Sequence, residues 1–230
     1  MIGIIGAMDI EIATLKENMS QITVERKAGM EFYKGRLSGK DVVVVQCGVG
    51  KVNAAICTQA LCSNFSVSCV INTGVAGSLC SELDIGDLVV SSDAMHHDMN
   101  CISLRYPVGQ VPGMKVHAFP ADKTMIECAY AAAEAVNPGH TRIGRVASGD
   151  QFVCHKEQKE KIIAETGGIC AEMEGAAIAH AAYRNEIPFV IIRAISDKAD
   201  DSAQMDYPVF EKIAAARCAQ VTMDLVKRLS

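Results

Sequence analysis

The sequence predicts an α/β fold, a three-layer sandwich in which helices cover a mostly parallel or mixed β-sheet. Two observations predict this fold. Apolar runs of strand length alternate along the chain with alanine-rich or amphipathic runs of helical length. No internal repeat, low-complexity tract or Pro/Ser-rich linker divides the 230 residues. We therefore expect one domain over residues 1–230.

The first half of the chain contains four predicted strands and two predicted helices. The strand-like runs are short and rich in Val and Ile, as in buried strands. The first helix begins with acids, which favour the positive end of a helix dipole, and the second is rich in alanine. The strands are expected at residues 2–5, 42–45, around 70–71 and 88–91, and the helices at residues 9–18 and 52–64.

The second half continues the alternation with two strands and four helices. The segment HKEQKEKIIAE has the pattern of an exposed amphipathic helix, whereas GAAIAHAAY is almost wholly apolar and predicts a buried one. The strands are expected at residues 143–147 and 189–194, and the helices at residues 124–136, 155–165, 175–183 and about 208–229.

The composition excludes several classes of protein. The net charge is −5 and the basic residues are scattered, so nucleic acid and anionic membranes are not expected partners. The N-terminal segment carries Asp9 and Glu11 instead of the basic region of a secretory signal. The ten cysteines include no C-x-x-C pair, so we expect buried free thiols in a cytoplasmic protein.

The segment PFVIIRAISDKADD, residues 188–201, places an acid just beyond a buried strand. The strand is apolar as far as Ile192, and Asp197 follows it closely. In open α/β sheets, ligands bind beyond the carboxyl ends of the strands. We therefore expect Asp197 at the edge of the sheet where such a fold presents its functional site.

Two glycine turns also follow predicted strands, CGVGK and TGVAGS. Neither contains G-x-G-x-x-G, and Val45 and Val52 stand where a phosphate-binding loop requires Gly and Ser or Thr. The glycines either permit tight turns or allow a close approach of the backbone to a ligand. The residues leave both interpretations open.

Carboxylates interrupt apolar sequence at two further places. Glu172 and Glu174 precede the buried helix, and they share one face if residues 170–173 are extended. Glu11 lies in the first turn of the first helix beside Asp9. Such acids can simply stabilise the helix dipole. Carboxylates that enter a buried helix are costly, however, unless they are paired or functional.

The pair His96–His97, followed by Asp98, has the composition of a metal site. Neighbouring strand residues point to opposite faces, so one metal ion cannot easily bind both histidines. No nucleophile motif such as G-x-S-x-G is present. We therefore expect neither a metal nor an organic cofactor.

Three acids at three strand ends indicate acid–base chemistry on a neutral, polar substrate. Cleavage of a glycosidic bond has this requirement. One acid protonates the leaving group, and a carboxylate activates water on the opposite face of the sugar. The residues by themselves predict no more than this class of reaction.

Six motifs, in order along nearly the whole chain, resemble those of the 5′-methylthioadenosine/S-adenosylhomocysteine nucleosidases in the purine nucleoside phosphorylase superfamily. The resemblance implies a single nucleoside phosphorylase-like catalytic domain with a twisted central mixed sheet, assembled as a homodimer. It also implies a hydrolase that releases adenine from both nucleosides, in methionine salvage and the activated methyl cycle. The motifs are IGIIGAMDIEI, INTGVAG, LDIGDLVVS, SGDQFV, AEMEGAAIAH and FVIIRAISDKAD.

The resemblance also implies a role for each matched residue. Glu11 matches the water-activating base, and Asp197 matches the acid at purine N7, with Ser196 orienting its carboxylate. A third group, Leu104, Tyr106 and Pro112, matches the region that closes the 5′-alkylthio pocket of the neighbouring subunit. The remaining matched positions are expected to bind substrate. At the ribose stand Glu174 and Met173, with Met8 beside it; at the adenine stand Phe152 and Val153; in the base pocket stand Ala76 and Gly77. Glu172 and Arg193 also belong to the site, and Arg193 is expected to pair with one of its acids.

The sequence departs from the family pattern at two positions. Val75 stands where bacterial members often carry Ser, and Ile10 replaces an acid at a position expected to face away from the site. Two rival functions remain. A phosphorylase would need cations for phosphate where Glu11 stands, and a non-catalytic nucleoside-binding protein would not need both Glu11 and Asp197. The preferred 5′-substituent also stays open among methylthio, homocysteinyl, 5′-deoxy and futalosine-type groups.

Overall fold

The computed structural model describes residues 1–229, which contain ten strands and six α-helices. A short 3₁₀ turn, Ile102–Leu104, lies in the long connection between β6 and β7. The strands are β1 (Ile2–Gly6), β2 (Ser20–Lys27), β3 (Met30–Leu37), β4 (Lys40–Gln46), β5 (Cys69–Ser78), β6 (Leu88–His96), β7 (Phe119–Pro120), β8 (Thr141–Ser148), β9 (Cys170–Glu172) and β10 (Phe189–Asp197). The helices are α1 (Asp9–Glu17), α2 (Lys51–Asn64), α3 (Lys123–Val136), α4 (Lys156–Thr166), α5 (Gly175–Arg184) and α6 (Ala203–Arg228).

The sheet is mixed, and part of it closes on itself. Its order is β10-β6-β8-β9-β5-β1-β4-β3-β2, and β10 also pairs with β5. The strands β5, β10, β6, β8 and β9 therefore form a ring, from which β1, β4, β3 and β2 extend as an open sheet. Because β1, β5 and β10 are mutually parallel neighbours, their carboxyl ends meet at one edge.

Side-chain alternation along the strands divides the interior into two main layers. Val42 and Val44 pack into the core that contains α1, α3 and α6, whereas Val43 and Val45 pack into the core that contains α2 and α5. This is the period of two that a strand imposes. The predicted mixed sheet flanked by helices is thereby confirmed, with the ring of five strands as an addition.

Several elements differ from the sequence-based expectation. The strands β5 and β6 run on to Ser78 and His96, beyond the expected residues 70–71 and 88–91, and β7 and β9 were not predicted as strands. The strand β10 runs on to Asp197, and all nine of its residues are buried, so the acid is the last residue of the strand. The hairpin β2–β3 was not predicted, because every residue of β2 is exposed and its sequence has no apolar run. The last helix begins at Ala203 and contains Pro208 in its interior, whereas a proline more often marks a helix start.

No helix within residues 1–229 combines the length and the apolar character needed to cross a bilayer.

Candidate active site

A cavity that is open to solvent lies at the carboxyl ends of β1, β5 and β10. The loops after β1, β4, β8 and β9, together with the first turns of α1 and α6, complete its wall. Ten of the fifteen residues predicted from the sequence line it. These are Met8, Glu11, Ala76, Gly77, Phe152, Glu172, Met173, Glu174, Ser196 and Asp197.

The Glu11 carboxylate lies in the first turn of α1 and is held by three backbone N–H groups. Ala7 and Met8 donate to Oε2 at 2.7 and 3.0 Å, and Val75 donates to Oε1 at 3.0 Å. Burial raises the pKa of Glu11, whereas the charge of Arg193 and these three hydrogen bonds act in the opposite direction. The side chain is thus fixed in place by strand ends on two sides.

Glycine at position 74 is required by this arrangement. A Cβ atom there would lie 2.3 Å from Glu11 Oε1 and 3.0 Å from Arg193 Nη1. The first distance is too short for a carbon atom and the second is very tight, so only glycine leaves room for the Glu11 carboxylate and the Arg193 guanidinium against this point of β5. The segment TGVAGS was expected as a turn, but it lies within β5, and its glycine at position 74 serves a close approach of functional side chains.

The Asp197 carboxylate ends β10 and faces the same cavity. The Ala199 N–H donates to Oδ1 at 2.8 Å, and the Ser196 hydroxyl donates to Oδ2 at 2.9 Å. Burial is the largest influence on the pKa of Asp197 and raises it, although these two hydrogen bonds lower it. Glycine is again needed nearby, because a Cβ atom at Gly77 would lie 2.7 Å from Asp197 Oδ1.

The carboxyl groups of Glu172 and Glu174 have sharply different surroundings, although only Met173 separates the two residues. Glu172 accepts hydrogen bonds from Ser148, Arg193 and the backbone N–H groups of Glu174 and Gly175. Burial opposes its ionisation, but the charge of Arg193 and these donors hold the pKa of Glu172 below its usual range. This carboxylate fixes the turn into α5.

Glu174 has far fewer partners. Its Oε1 accepts one hydrogen bond, from the Gly50 N–H at 2.7 Å. Burial and then the negative charge of Glu172 raise the pKa of Glu174 to about 8. Its carboxyl group therefore keeps a proton near neutral pH and remains available to a ligand in the cavity.

Arg193 lies behind the cavity and does not form part of its wall. The side chain is fully buried, forms an ion pair with Glu172, and donates to Asn72 Oδ1 at 2.5 Å. Asn72 in turn donates to the Ile5 carbonyl at 2.9 Å. The guanidinium is thus the buried ion-pair partner of Glu172, whereas its assignment as a substrate-binding residue is not matched by a place in the wall.

The aromatic position on the loop after β8 forms the outer wall. Phe152 is 45% exposed, and its ring meets the Tyr207 ring edge-on at 5.6 Å. The next residue, Val153, turns away into a small core cluster with Leu79 and Ala147. Its side chain is absent from the described wall, so any contact with a ligand would come from its backbone.

The segment that contains Leu104, Tyr106 and Pro112 lies in the connection between β6 and β7, outside the cavity of its own chain. Leu104 is 65% exposed, and its neighbour Ile102 is 57% exposed. Large apolar side chains at such exposure, side by side, are typical of a surface that contacts another molecule.

Sequence reasoning missed several residues that build the site. Tyr207, Val49, Ala7 and Ala171 line the cavity, and Ser148 and Asn72 hold the buried ion pair. Tyr207 could have been noticed, since it lies ten residues after Asp197 at the start of the last helix. Ser148 and Asn72 carry no comparable pattern, because single polar residues at strand ends are common.

The two positions that depart from the family pattern lie in different surroundings. Val75 lines the cavity, where its backbone N–H reaches Glu11 but its side chain offers no hydroxyl. Ile10 packs against the core formed by α1, α3 and α6. The residue that could affect chemistry is therefore Val75.

The histidine pair is buried and lies apart from the cavity wall. The His96 ring packs against His180 and Phe119, with centroids 5.7 and 6.0 Å away, and burial lowers the pKa of His96 to about 4. The ring of His97 instead packs over Gly149. Within residues 1–229, no group of three or more His, Cys, Asp or Glu residues is arranged to hold a metal ion.

Comparison with known proteins gives one consistent family. The sequence profile of the phosphorylase superfamily matches residues 1–227. The chain is 41% identical over 229 residues to the 5′-methylthioadenosine/S-adenosylhomocysteine nucleosidase of Oceanobacillus iheyensis, covering 99% of each chain. It is 40% identical over 232 residues to the enzyme of that name from Staphylococcus aureus strain MRSA252, covering 100% of each.

Solved structures agree with the sequence relatives. A Neisseria meningitidis 5′-methylthioadenosine/S-adenosylhomocysteine nucleosidase in complex with methylthio-immucillin-A superposes with a TM-score of 0.96 at 39% identity, covering 99% of each chain. The futalosine hydrolase of Helicobacter pylori superposes with a TM-score of 0.94 at 32% identity, covering 99% of this chain and 97% of that chain.

Proposed function

The chain belongs to the 5′-methylthioadenosine/S-adenosylhomocysteine nucleosidases of the phosphorylase superfamily, and we propose that it hydrolyses both nucleosides to adenine and the 5′-thio-substituted ribose. The observation that carries this proposal is the convergence of Glu11, Glu174 and Asp197 on one cavity. They reach it from three different parts of the chain, and each has a raised pKa.

Asp197 is the proposed general acid. Adenine leaves poorly as an anion, and protonation at N7 lets it leave as a neutral base. A carboxyl group serves this purpose only if it holds a proton near neutrality. The burial of Asp197 raises its pKa in that direction, and Ser196 and Ala199 fix its orientation.

Glu11 is the proposed general base. It must be ionised to take a proton from water, and three backbone N–H groups favour its charged form against the effect of burial. Its negative charge also stabilises the positive charge that develops at C1′ as the glycosidic bond breaks.

Water is a better nucleophile for this cavity than phosphate. Phosphate binding calls for cationic side chains or a glycine-rich loop. The described wall contains no Lys or Arg, and Arg193 behind it is paired with Glu172. These observations support hydrolysis over phosphorolysis.

The remaining wall residues fit a purine nucleoside. We propose that Glu174 binds the ribose hydroxyls, with Met173 and Met8 packing against the sugar, since all three line the cavity. Phe152 provides an aromatic face for adenine. Three further groups complete the base site: Ala76, Gly77 and the backbone of Val153. Glu172 and Arg193 support Glu174 from behind the wall.

A homodimer is proposed to complete the 5′ end of the site. The exposed apolar residues Leu104 and Pro112, with the half-buried Tyr106, would cover the cavity of a second copy. A thioether tail is apolar, and such a cover removes it from water. Leu104 is 65% exposed in a single chain, so its apolar side chain is available for this contact.

A cytoplasmic location is also proposed, with a role in methionine salvage and the activated methyl cycle. All ten cysteines are free thiols, and five of them are buried, including Cys47, Cys57 and Cys170. Free thiols persist in reducing compartments.

The deciding experiment measures adenine release from methylthioadenosine with and without phosphate. We expect release in both conditions and free methylthioribose as the sugar product. Accumulation of a sugar 1-phosphate when phosphate is added would identify a phosphorylase instead. Tight nucleoside binding without any adenine release would identify a binding protein.

A further inference from the structure

Asp98, the acid that follows the histidine pair, has no role in the function proposed above. It lies just beyond the end of β6 and is half-buried. Its Oδ1 lies 2.5 Å from Lys51 Nζ, and its Oδ2 accepts the Asp150 N–H at 3.0 Å. Burial opposes the ionisation of Asp98, but these two donors hold the pKa of Asp98 below its usual range. The carboxylate is therefore charged at neutral pH and bound on both oxygens.

A third hydrogen bond closes these contacts into a clamp, defined as Lys51, Asp98 and Asp150. The Lys51 N–H donates to Asp150 Oδ1 at 2.8 Å. Lys51 is the first residue of α2, and the residue before it is a glycine without a capping side chain. The Asp150 carboxylate therefore binds one of the backbone N–H groups that a helix start leaves free. The clamp joins the loop before α2, the loop after β8 and the end of β6.

The loop before α2 also carries the hydrogen bond that Glu174 receives. The Gly50 N–H donates to Glu174 Oε1 at 2.7 Å, and within residues 1–229 no other donor binds this carboxyl group. Gly50 has a φ of 97°, and a Cβ atom there would lie 3.1 Å from Asp150 Oδ1. The next N–H along the chain, that of Lys51, is the one that Asp150 binds. The clamp thus fixes the backbone on the carboxyl side of the donor to Glu174.

We propose that Asp98 is a positioning residue that orients Glu174 toward the ribose hydroxyls. This proposal rests on the proposed function, in which Glu174 binds the sugar. Asp98 lies outside the described cavity wall, so it acts through the clamp, which holds the Gly50 N–H in place. A carboxyl group on a single donor turns about its side-chain bonds when that donor moves. Small displacements of this kind weaken catalysis even when they arise away from the reacting atoms.

The first test uses Asp98→Asn and a substrate without ribose hydroxyls. The measured quantity is the ribose preference, the ratio of kcat/KM for methylthioadenosine to kcat/KM for its 2′,3′-dideoxy analogue. Asparagine can still accept the Asp150 N–H but has no charge to hold Lys51. Loss of one hydrogen bond to the sugar is worth about a tenfold change in such a ratio. We expect the ribose preference to fall about tenfold, and an equal loss for both substrates or no loss for either overturns the proposal.

The second test asks whether the effect passes through Glu174, and it measures binding only. The ligand is a non-hydrolysable C-nucleoside analogue of methylthioadenosine that keeps both ribose hydroxyls, and calorimetry gives its affinity. Asp98→Asn should weaken binding about tenfold in the wild-type background. In a Glu174→Ala background it should cause no further loss, because the group that Asp98 positions is gone. Losses that multiply would place the effect elsewhere in the wall and overturn the proposal.

The matched control is Asp93→Asn, which removes the charge from another ion pair on β6. Asp93 pairs with Arg145 at 2.6 Å, and the side chains of Asp93 and Asp98 are 21% and 18% exposed. Asp93 lies outside the described cavity wall and outside the clamp. The two variants should lose similar stability, but Asp93→Asn should keep the ribose preference. If both variants lower it equally, the effect is a general loss of stability and the proposal is wrong.

The wild type and a further variant separate this proposal from the proposed function. Lys51→Met removes the other charge of the ion pair and should also lower the ribose preference, so it replaces Asp98→Asn if that protein folds poorly. A wild type that releases no adenine from methylthioadenosine shows that the proposed function is wrong. If the wild type releases adenine and Lys51→Met keeps the full ribose preference, the function stands and the positioning role of Asp98 is wrong.

Discussion

The floor and the rim of the cavity are built in opposite ways. The floor, defined as Glu11, Glu172, Glu174 and Asp197, is buried, and backbone N–H groups from neighbouring turns bind each of its carboxyl groups. The rim, defined as Phe152 together with Leu104, Tyr106 and Pro112 of the proposed partner subunit, consists of apolar groups that are exposed or half-buried in one chain.

This difference separates chemistry from recognition. Charges that act on a transition state must be held before the substrate arrives, because reorganising them costs free energy during the reaction. The floor meets this condition within one chain. Apolar groups that enclose a substituent need to exclude water only while that substituent is bound. A second copy of the chain can therefore supply them. The contrast predicts that floor and rim substitutions change different kinetic constants.

The largest expected effect is at the floor, in Asp197→Asn. Asparagine keeps the size and hydrogen bonding of the side chain but cannot protonate N7. General acid catalysis typically contributes roughly 10² to 10⁴ in rate, so kcat should fall by about that factor. Steady-state adenine release measures it, and near-normal turnover would show that Asp197 only caps a turn.

Two controls accompany this substitution. The affinity for a methylthioadenosine-like inhibitor, measured by calorimetry, should fall much less than kcat. In the wild type, turnover should decrease as pH rises through the raised pKa of Asp197, because the ionised carboxylate has no proton to donate. The variant should lack that alkaline decrease, and its persistence would assign the titration to another group.

The second expected effect concerns the buried ion pair between Glu172 of the floor and Arg193 behind it, and the test is Glu172→Gln. Removing the charge leaves Arg193 buried without its ionic partner. Breaking one side of a buried ion pair typically costs about 3–5 kcal/mol, so the free energy of unfolding in urea should fall by that amount. The matched control is Glu160→Gln, which breaks an exposed pair with Lys156 and should cost less than about 1 kcal/mol. Equal losses would mean that Glu172 is not paired as described.

Much of the floor could be predicted from the sequence. Buried parallel strands read as short apolar runs, so the starts of β1, β5 and β10 were placed to within a residue, although β5 runs seven residues past its expected end, and acids near such strands stand out against apolar neighbours. The extent of β10 was underestimated, because Ser196 looks like a loop residue. Its hydroxyl is buried and donates to Asp197, just as the buried Arg193 pairs with Glu172.

The rest depended on contacts between distant parts of the chain. The ring closes where β5 pairs with β10, with Gly74 opposite Arg193, 119 positions later in the chain (193 − 74), at a register that no local pattern encodes. At the open end of the sheet the hairpin β2–β3 is held by pairing with β4 and by the buried Phe32 and Leu37 of β3, whereas β2 itself buries no side chain. Tyr207 reaches the wall because α6 crosses beside α1, which sequence spacing does not indicate.

The smallest expected effect tests the rim, in Leu104→Asp. Leu104 is exposed in a single chain, so the change should not destabilise the fold, but it places a charge in the proposed dimer contact. Burying a leucine side chain is worth about 1.5–3 kcal/mol. We therefore expect KM for methylthioadenosine to rise roughly tenfold and the dimer to weaken, while kcat at saturation changes little because the floor is intact. Sedimentation and steady-state kinetics measure the two quantities on the same sample. Ile22→Asp, on the exposed strand β2 at the far end of the sheet, adds the same charge as a control. If Leu104→Asp is monomeric and fully active at nanomolar concentration, the floor works without a second copy and the proposed division between floor and rim is wrong.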